Sequence, residues 1–333
     1  MVESEATVSH RSPRAWARVG VVLLVVAIMV PPLVANSIEL TRLSRLIVLV
    51  LAVLGVNVLT GYTGLISLGQ GVFVGVGAFA MANFIDWGLP LVAAALAATV
   101  FTGCVGIVLG LPALRVRGLY LALITFGFAL AFPPLVRRLG PLTGGVNGRN
   151  VDNTAFVAPG FLGVNVPDHI WRYGVCIVVV GVWFVIVGNL VRSRIGRAIR
   201  SIRDNEAAAA TFGINVSAVK AGSFAVSAAM TGTAGALQAI LNPYLGSGDY
   251  DAFLSLRLYA SAVVGGLGTL VGSVLGVVAL IAVPWINDVV GLIDNEGMVF
   301  GAGLIIVTFF APNGIASLLN RRETRNVGRE TPV

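Results

Sequence analysis

The chain has 333 residues, of which 11% are charged and 57% hydrophobic, with a formal net charge of +7 and a mean hydropathy of +0.92. An ordinary soluble domain carries roughly 25% charged residues. A chain this apolar cannot cover itself with a polar surface, so a soluble enzyme and a disordered chain are both excluded. Of the 22 basic residues all but Lys220 are arginines, so any chemistry that needs a lysine must use that one.

Charge is bunched, and it leaves eight stretches of at least 19 residues without Asp, Glu, Lys or Arg. A membrane-crossing helix needs about 20 mostly apolar residues. The chain therefore reads as an all-α polytopic membrane protein, because barrel strands would alternate polar and apolar. Arg11, Arg14 and Arg18 put the N-terminal tail, residues 1–18, in the cytoplasm by the positive-inside rule. The apolar run that follows reads as a first span, Val19 to Ala35, rather than a cleaved leader. The second span, Leu46 to Tyr62, returns, and the third, Gly64 to Ala82, exits to a turn whose only charge is Asp86. The fourth, Leu91 to Leu111, returns to Arg115 and Arg117; the fifth, Gly118 to Val136, exits to an extracytoplasmic loop at 139–170. The sixth, Tyr173 to Val191, returns to the most basic segment, 192–220, and the seventh, Ala221 to Leu241, exits.

The acidic segment with Asp288, Asp294 and Glu296 belongs outside, and the tail 321–333, with four arginines, inside. One crossing between Gly297 and Ala311 links them. Leu258 to Val283 must then begin and end outside, and a re-entrant pair of half-helices broken near Gly265-Gly266-Leu267-Gly268 satisfies that parity. The count is about eight crossings plus one re-entrant element, in a single membrane domain over 19–320. Arg42, Arg45, Arg137 and Arg138 fall on the outer side and run against the charge rule.

Glycine punctuates two regions, Gly61 to Gly77 and Gly265 to Gly276. Gly71 and Gly75, and likewise Gly268, Gly272 and Gly276, have the small-x-x-x-small spacing that lets helix backbones approach. The two clusters read as counterparts in two pseudo-repeated halves, and interrupted helices in corresponding positions mark a substrate path. Polar residues near these breaks are candidate path residues: Asn57, Thr63, Ser67, Gln70, Tyr120, Thr125, Gln238 and Asn242. An interhelical hydrogen bond is the alternative role for each.

Several absences bear on function. Lys220 lies between Val219 and Ala221, so it cannot complete a Gly-Lys-Ser/Thr phosphate loop. There is no cluster with metal-ligand spacing and no sign of a bound cofactor; Cys104 and Cys176 read as packing residues. The basic charge belongs to the span flanks rather than to nucleic-acid binding. None of the assigned spans holds a formal charge, so proton-coupling machinery is not evident. Energy for active transport would come from a partner. The best candidate for a partner surface is the basic segment from Ser193 to Lys220, in which Ala198, Ile199, Ile202, Glu206 and Ala209 recur at helical spacing; a solvated positive-inside loop is the alternative, as sodium coupling through backbone carbonyls is for the energy source. Asp204-Asn205-Glu206 can start a second short helix and Gly213 can stop it.

These segments carry a resemblance. Gly61-Tyr62-Thr63-Gly64-Leu65-Ile66-Ser67-Leu68-Gly69-Gln70-Gly71, Leu114-Arg115-Val116-Arg117-Gly118-Leu119-Tyr120 and Leu142-Thr143-Gly144-Gly145-Val146-Asn147-Gly148 come first. Ile202-Arg203-Asp204-Asn205-Glu206, Phe212-Gly213-Ile214-Asn215, Gly265-Gly266-Leu267-Gly268-Thr269 and Pro312-Asn313-Gly314 follow, in order, from about residue 45 to 315. The chain resembles the permease family of branched-chain amino-acid ABC transporters, and its M-type subunit most. The resemblance implies a second related permease as heterodimer partner, two cytoplasmic ATPase subunits, an external solute-binding protein and a bacterial plasma membrane around the chain. It implies a coupling loop to the ATPase built from Arg194, Gly196, Arg197, Arg203, Asp204, Glu206, Ala208, Ala209 and Gly213. Gln70 stands where many relatives have His. Permeases for urea and short amides resemble the same pattern, and a stand-alone facilitator or secondary transporter is the reading from a different class.

Overall fold

The computed structural model describes residues 36–111, 118–151, 156, 167–279, 301 and 314–316. The predicted first span, the last crossing between Gly297 and Ala311, the acidic segment and both tails lie outside the described residues.

Helix α1, Ser37–Val56, continues as a π-helical turn over Asn57–Tyr62. Glu39 Oε2 accepts from the Asn36 N–H at 3.2 Å and ties down its first turn. Non-helical chain from Thr63 to Gly69 follows, and α2 runs Gln70–Asp86. The predicted third span therefore starts six residues late. Gly64, at φ +76°, turns the chain out of the helix, and the residues up to Gly69 stay unwound. Helices α3, Leu91–Gly110, and α4, Leu119–Arg138, come next. After them come α5, Asp168–Arg192, α6, Arg194–Asp204, α7, Glu206–Thr211, and α8, Val216–Leu241. The described chain continues with α9, Ala252–Gly265, and α10, Leu270–Ala279, bent by 117° across Gly266 to Thr269. The break foreseen near Gly265 to Gly268 is therefore present. A two-residue antiparallel ladder, β1 Arg149–Asn150 on β2 Tyr244–Leu245, is the one departure from all-α structure among the described residues.

Five described helices are long and apolar enough to cross a membrane, or six if the bent α9–α10 pair is one span. The charge-free stretches are shorter than the helices that contain them. Arg42 and Arg45 lie in α1, Arg172 in α5, Lys220 in α8 and Arg257 in α9. The helices run past the charge-free stretches because long basic side chains can carry their charge toward a helix end or a partner. Arg257, for example, lies over the Phe253 ring at 4.7 Å.

Helix α8 forms the axis. Of its most apolar window 78% is buried, against 28% for α3 and 17% for α5, so those two present apolar faces outward. Small residues make the axis possible. A Cβ on Gly77 of α2 would stand 2.0 Å from the Gly232 carbonyl oxygen of α8, and one on Gly235 of α8 would stand 1.9 Å from the Val74 carbonyl oxygen. Without a hydrophobic drive between helices in lipid, this close backbone approach is what holds them. Of the glycines foreseen as packing sites, Gly71 donates its N–H to Ser255 Oγ at 2.9 Å and Gly75 lies under Phe132 and Tyr250. Gly272 and Gly276 fold α10 back onto the Gly265 and Ser261 carbonyls of α9. Gly268 is not in a helix. It sits in the turn at φ +80°, where its role is the turn itself.

The bundle has two chemically distinct ends. At one, Arg149 pairs with Asp86 and donates to Asn83 Oδ1 at 2.7 Å, while the Tyr244 hydroxyl donates to the Asn147 carbonyl at 2.9 Å. At the other, 26 residues away along α8, lie α6 and α7. Replacing Gly77 by Val forces α2 off α8 and is expected to destabilise the fold by about 1–3 kcal/mol. Gly181→Ala, where nothing lies within 4 Å, is the neutral control. Thermal unfolding of purified protein in detergent measures both.

Candidate functional site

The two helix breaks meet. A Cβ on Gly61 would lie 2.3 Å from the Gly268 nitrogen, so the backbone of the first break rests on the backbone of the second. One side chain binds them together. Asn57, fully buried in the π-helical turn, accepts the Gly268 N–H on Oδ1 at 2.7 Å. Its Nδ2 donates to the Thr269 carbonyl at 2.7 Å and to Ser273 Oγ at 3.0 Å. The amide thus satisfies the Gly268 N–H of the turn and fastens the start of α10 through the Thr269 carbonyl and the Ser273 hydroxyl. Gly314, at φ +79°, reaches the same place: a Cβ there would stand 2.3 Å from Gly266 Cα.

Local chemistry explains why α1 ends as it does. Thr63 Oγ1 donates to the Val58 carbonyl at 3.2 Å and Thr60 Oγ1 to the Leu65 carbonyl at 3.1 Å, so two hydroxyls replace part of the interrupted ladder. A π turn at such a position is a frequent mark of a functional site. From the far side, Thr125 of α4 accepts the Leu68 N–H at 2.9 Å, and Gly69 lies against the Thr125 carbonyl. Ser67 Oγ accepts the Gly69 N–H at 3.4 Å. Gln70 opens α2; its Oε1 accepts from Thr231 Oγ1 of α8 at 3.3 Å, and its buried Nε2 has no partner among the described residues.

The structure therefore brings Asn57, Thr63, Ser67, Gln70 and Thr125 into one buried seam, each 5% exposed or less. The other foreseen path residues lie elsewhere. Tyr120 is 72% exposed on the outer face of α4. Gln238 borders a cavity of about 130 Å³ with Arg45, Val74 and Leu258. Asn242 ends α8, where its N–H donates to the Gln238 carbonyl at 2.9 Å. Thr231 and Ser273 belong to the seam and were missed, because a lone Thr or Ser in an apolar helix has no distinguishing pattern.

The basic segment folds as two short helices. Ser193 caps α6 by accepting the Gly196 N–H at 3.3 Å, and Asn205 caps α7 by accepting the Ala208 N–H at 3.0 Å. Gly213, at φ +79°, follows α7 as foreseen. Ile199 and Ile202 turn inward, while Arg194, Arg197 and Asp204 face out; Arg203 is exposed along its length but turns its guanidinium toward the bundle. Gly196 and Ala209 do not belong to the outer surface. Gly196 is buried where α6 turns against the Leu190 and Val191 carbonyls, and Ala209 is 2% exposed. Ala208 is half-buried. The most exposed large apolar group here is Phe212, at 85%, which stood in a recognised motif but not among the foreseen contact residues. Glu206 is drawn inward as well: the Lys220 ammonium, 3% exposed, donates to its Oε1 at 2.8 Å.

Two side chains tie this helix pair to the membrane helices. Lys220 connects α8 to α7, and Arg203, at the end of α6, donates through Nη1 to the Gly61 carbonyl in the first break. Arg203 Nη1 also stands 3.1 Å from where a Cβ on Gly268 would be.

Asn57→Leu keeps the size of the side chain and orphans three buried polar groups. Each interhelical bond in a membrane protein is worth about 0.6 kcal/mol on average, and each orphaned group adds a desolvation penalty. A loss of about 2–3 kcal/mol is expected, read as a lower unfolding midpoint in detergent, with Asn57→Asp less severe.

The branched-chain amino acid transport system / permease component family matches residues 40–308. The high-affinity branched-chain amino acid transport system permease protein LivM of Salmonella typhimurium is 28% identical over 316 residues, covering 88% of this chain and 73% of its own. The corresponding LivH protein of that organism is 31% identical over 139 residues, covering 40% of this chain and 42% of its own. The ribose import permease protein RbsC of Haemophilus influenzae is 30% identical over 181 residues, covering 52% and 53%. No solved structure matches the chain. The matched region contains both helix breaks and the basic helix pair, and the chain belongs to the branched-chain amino acid permease family.

Proposed function

We propose that this chain is the membrane permease subunit of an ATP-driven importer, and that it forms part of the path for branched-chain or other apolar amino acids. The observation that carries the reading is the family match over residues 40–308, which spans both breaks and the helix pair. The long match to LivM, against the shorter one to LivH, supports the M-type assignment. A second related permease, two ATPase subunits and an external solute-binding protein complete the assembly. The membrane is the bacterial plasma membrane, with both termini cytoplasmic.

The site supports this division of labour. The chain's single lysine is buried against Glu206, so it is not available to hold a phosphate. ATP hydrolysis then belongs to partner subunits. The surface that receives them is α6–α7: Arg194 and Arg197 supply outward charge, and Phe212 with Gly213 supplies an exposed apolar tip that can enter a cleft. Asp86, Arg149 and Tyr244 mark the opposite end, which faces the solute-binding protein. Asn57, Thr63, Ser67, Gln70 and Thr125 line a seam that parts when the solute passes. Apart from the Arg203 guanidinium on the Gly61 carbonyl, the side chains of the seam are uncharged, which suits a zwitterion that must bind weakly enough to leave.

The match of the ribose permease over half the chain favours a second reading of the solute, because related frames carry different cargo. Urea and short amides belong to that reading.

Proteoliposomes holding the chain with its second permease, ATPases and binding protein decide between these. ATP-dependent uptake of radiolabelled leucine, isoleucine or valine is expected. Uptake of urea or ribose instead moves the solute, and uptake by the chain alone without ATP overturns the importer reading. Phe212→Asp and Gly213→Trp are expected to cut uptake at least about tenfold, the effect of losing one buried interface anchor, with expression unchanged. Full uptake in both removes the docking surface. Glu206→Lys is a poorer probe, since it sets a second ammonium beside the buried Lys220 and strikes the fold first.

A further inference from the structure

We infer that Arg203 is the positioning residue that transmits movement of the cytoplasmic helix pair to the seam between the two broken helices. The inference rests on the permease reading above and adds to it the contact through which a partner's movement reaches the path.

The argument begins with an orphan. Where α1 ends, its last carbonyls have no helical N–H to accept from. The Gly61 carbonyl takes the Arg203 guanidinium, a cation at a helix C-terminus, where the helix dipole favours it. The guanidinium is planar and carries several N–H donors in a fixed fork, so it holds a direction as well as a distance. It does not serve the first break alone. A Cβ on Gly64 would lie 3.1 Å from Arg203 Cγ, and one on Gly268 would lie 3.1 Å from Arg203 Nη1. The stem of the side chain thus runs along the first break, and its tip stands against the second. Both glycines have positive φ and no side chain, which leaves room for the arginine.

What lies beyond the arginine makes it a lever rather than a brace. Gly61 and Gly268 touch through backbone, and Asn57 spans them with three hydrogen bonds. Segments 63–69 and 266–269 are non-helical, so they can change dihedral angles without breaking a long helix. Arg200, one turn back on α6, instead donates to the Val191 carbonyl at 3.1 Å and stays within its own corner. Lys220 holds α7 to α8 by the Glu206 pair. Beyond the corner with α5 and the inward packing of Ile199 and Ile202, the helix pair is therefore held by a buried ion pair to the axial helix and by Arg203 to the seam. Displacement of α6 about the first attachment shifts the second.

The experiment uses the complete transporter in proteoliposomes, comparing wild type with Arg203→Gln and Arg203→Lys. Three quantities are measured: amino-acid uptake, ATP hydrolysis with and without loaded binding protein, and amide hydrogen exchange over 61–69 and 266–270 in nucleotide-free and ATP-trapped states. In wild type the trapped state is expected to change exchange in both segments. In Arg203→Gln uptake is expected to fall at least about tenfold, the factor a charge-assisted hydrogen bond is worth. ATP hydrolysis should continue but lose its response to loaded binding protein, and the exchange change at 266–270 should vanish. Arg203→Lys keeps one donor and should recover part of the uptake. A merely structural arginine would lower assembly, hydrolysis and uptake together, and that outcome overturns the inference. So does coupled uptake in Arg203→Gln, or unchanged exchange at 266–270 in trapped wild type, a measurement that needs no variant. Failure of the wild type to take up any amino acid strikes the permease reading instead.

Discussion

The structure depends on a backbone-to-backbone contact deep in an apolar bundle. A Cβ on Gly61 would stand 2.3 Å from the Gly268 nitrogen, and Gly268 itself takes a positive φ in the turn that breaks its helix pair. Unwound backbone inside a membrane protein is stable only where its polar groups find partners in the protein. The Asn57 amide provides them with one acceptor and two donor contacts, and the Arg203 guanidinium takes the carbonyl that remains at Gly61. Remove that pairing and two open turns would stand in a low-dielectric core with unmet hydrogen bonds. With it, the bundle carries a weak line through its middle that still has a defined resting geometry.

The rest of the architecture serves that line. Helix α8 supplies the axis because Gly77 and Gly235 let α2 and α8 meet at backbone distance, while Gly232 admits Thr102 of α3. Thr231 of the same helix reaches Gln70 at the start of α2, and Ser227 donates to the Gly55 carbonyl at 2.8 Å, so the axis also holds the flanks of the first break. Thr125 of α4 fixes the unwound segment from the opposite side. The stiff elements thus surround the soft one.

The helix pair α6–α7 belongs to the same logic. It is amphipathic, with Ile199, Ile202 and Ala209 anchored inward and Arg194, Arg197 and Phe212 outward. Its caps at Ser193 and Asn205 satisfy an N-terminal N–H of each short helix. The burial of Lys220 against Glu206 explains why a chain so poor in lysine retains an acidic residue in its basic segment. The pair is an internal attachment rather than part of the outward charge.

Much was legible in the sequence alone, because it depends on local physics. Apolar run length determined the membrane class, Gly64 and the Gly265 to Gly268 cluster located the breaks, and Asn205 and Gly213 bounded a short helix after the basic one. Residue order also carried the family. Tertiary structure alone decided which polar residues share a site. Asn57 and Gly268 are 211 residues apart, and no periodicity connects them. The same holds for Arg203 and Gly61, and it explains why Tyr120, equally polar and equally close to a glycine, stands on the outer face. It also decided that Gly196 and Ala209 turn inward, since a helix face becomes inner or outer only when another helix covers it. Spacing fixes a residue's position along a helix, whereas its neighbours across the bundle are set by how closely the glycines let the helices meet.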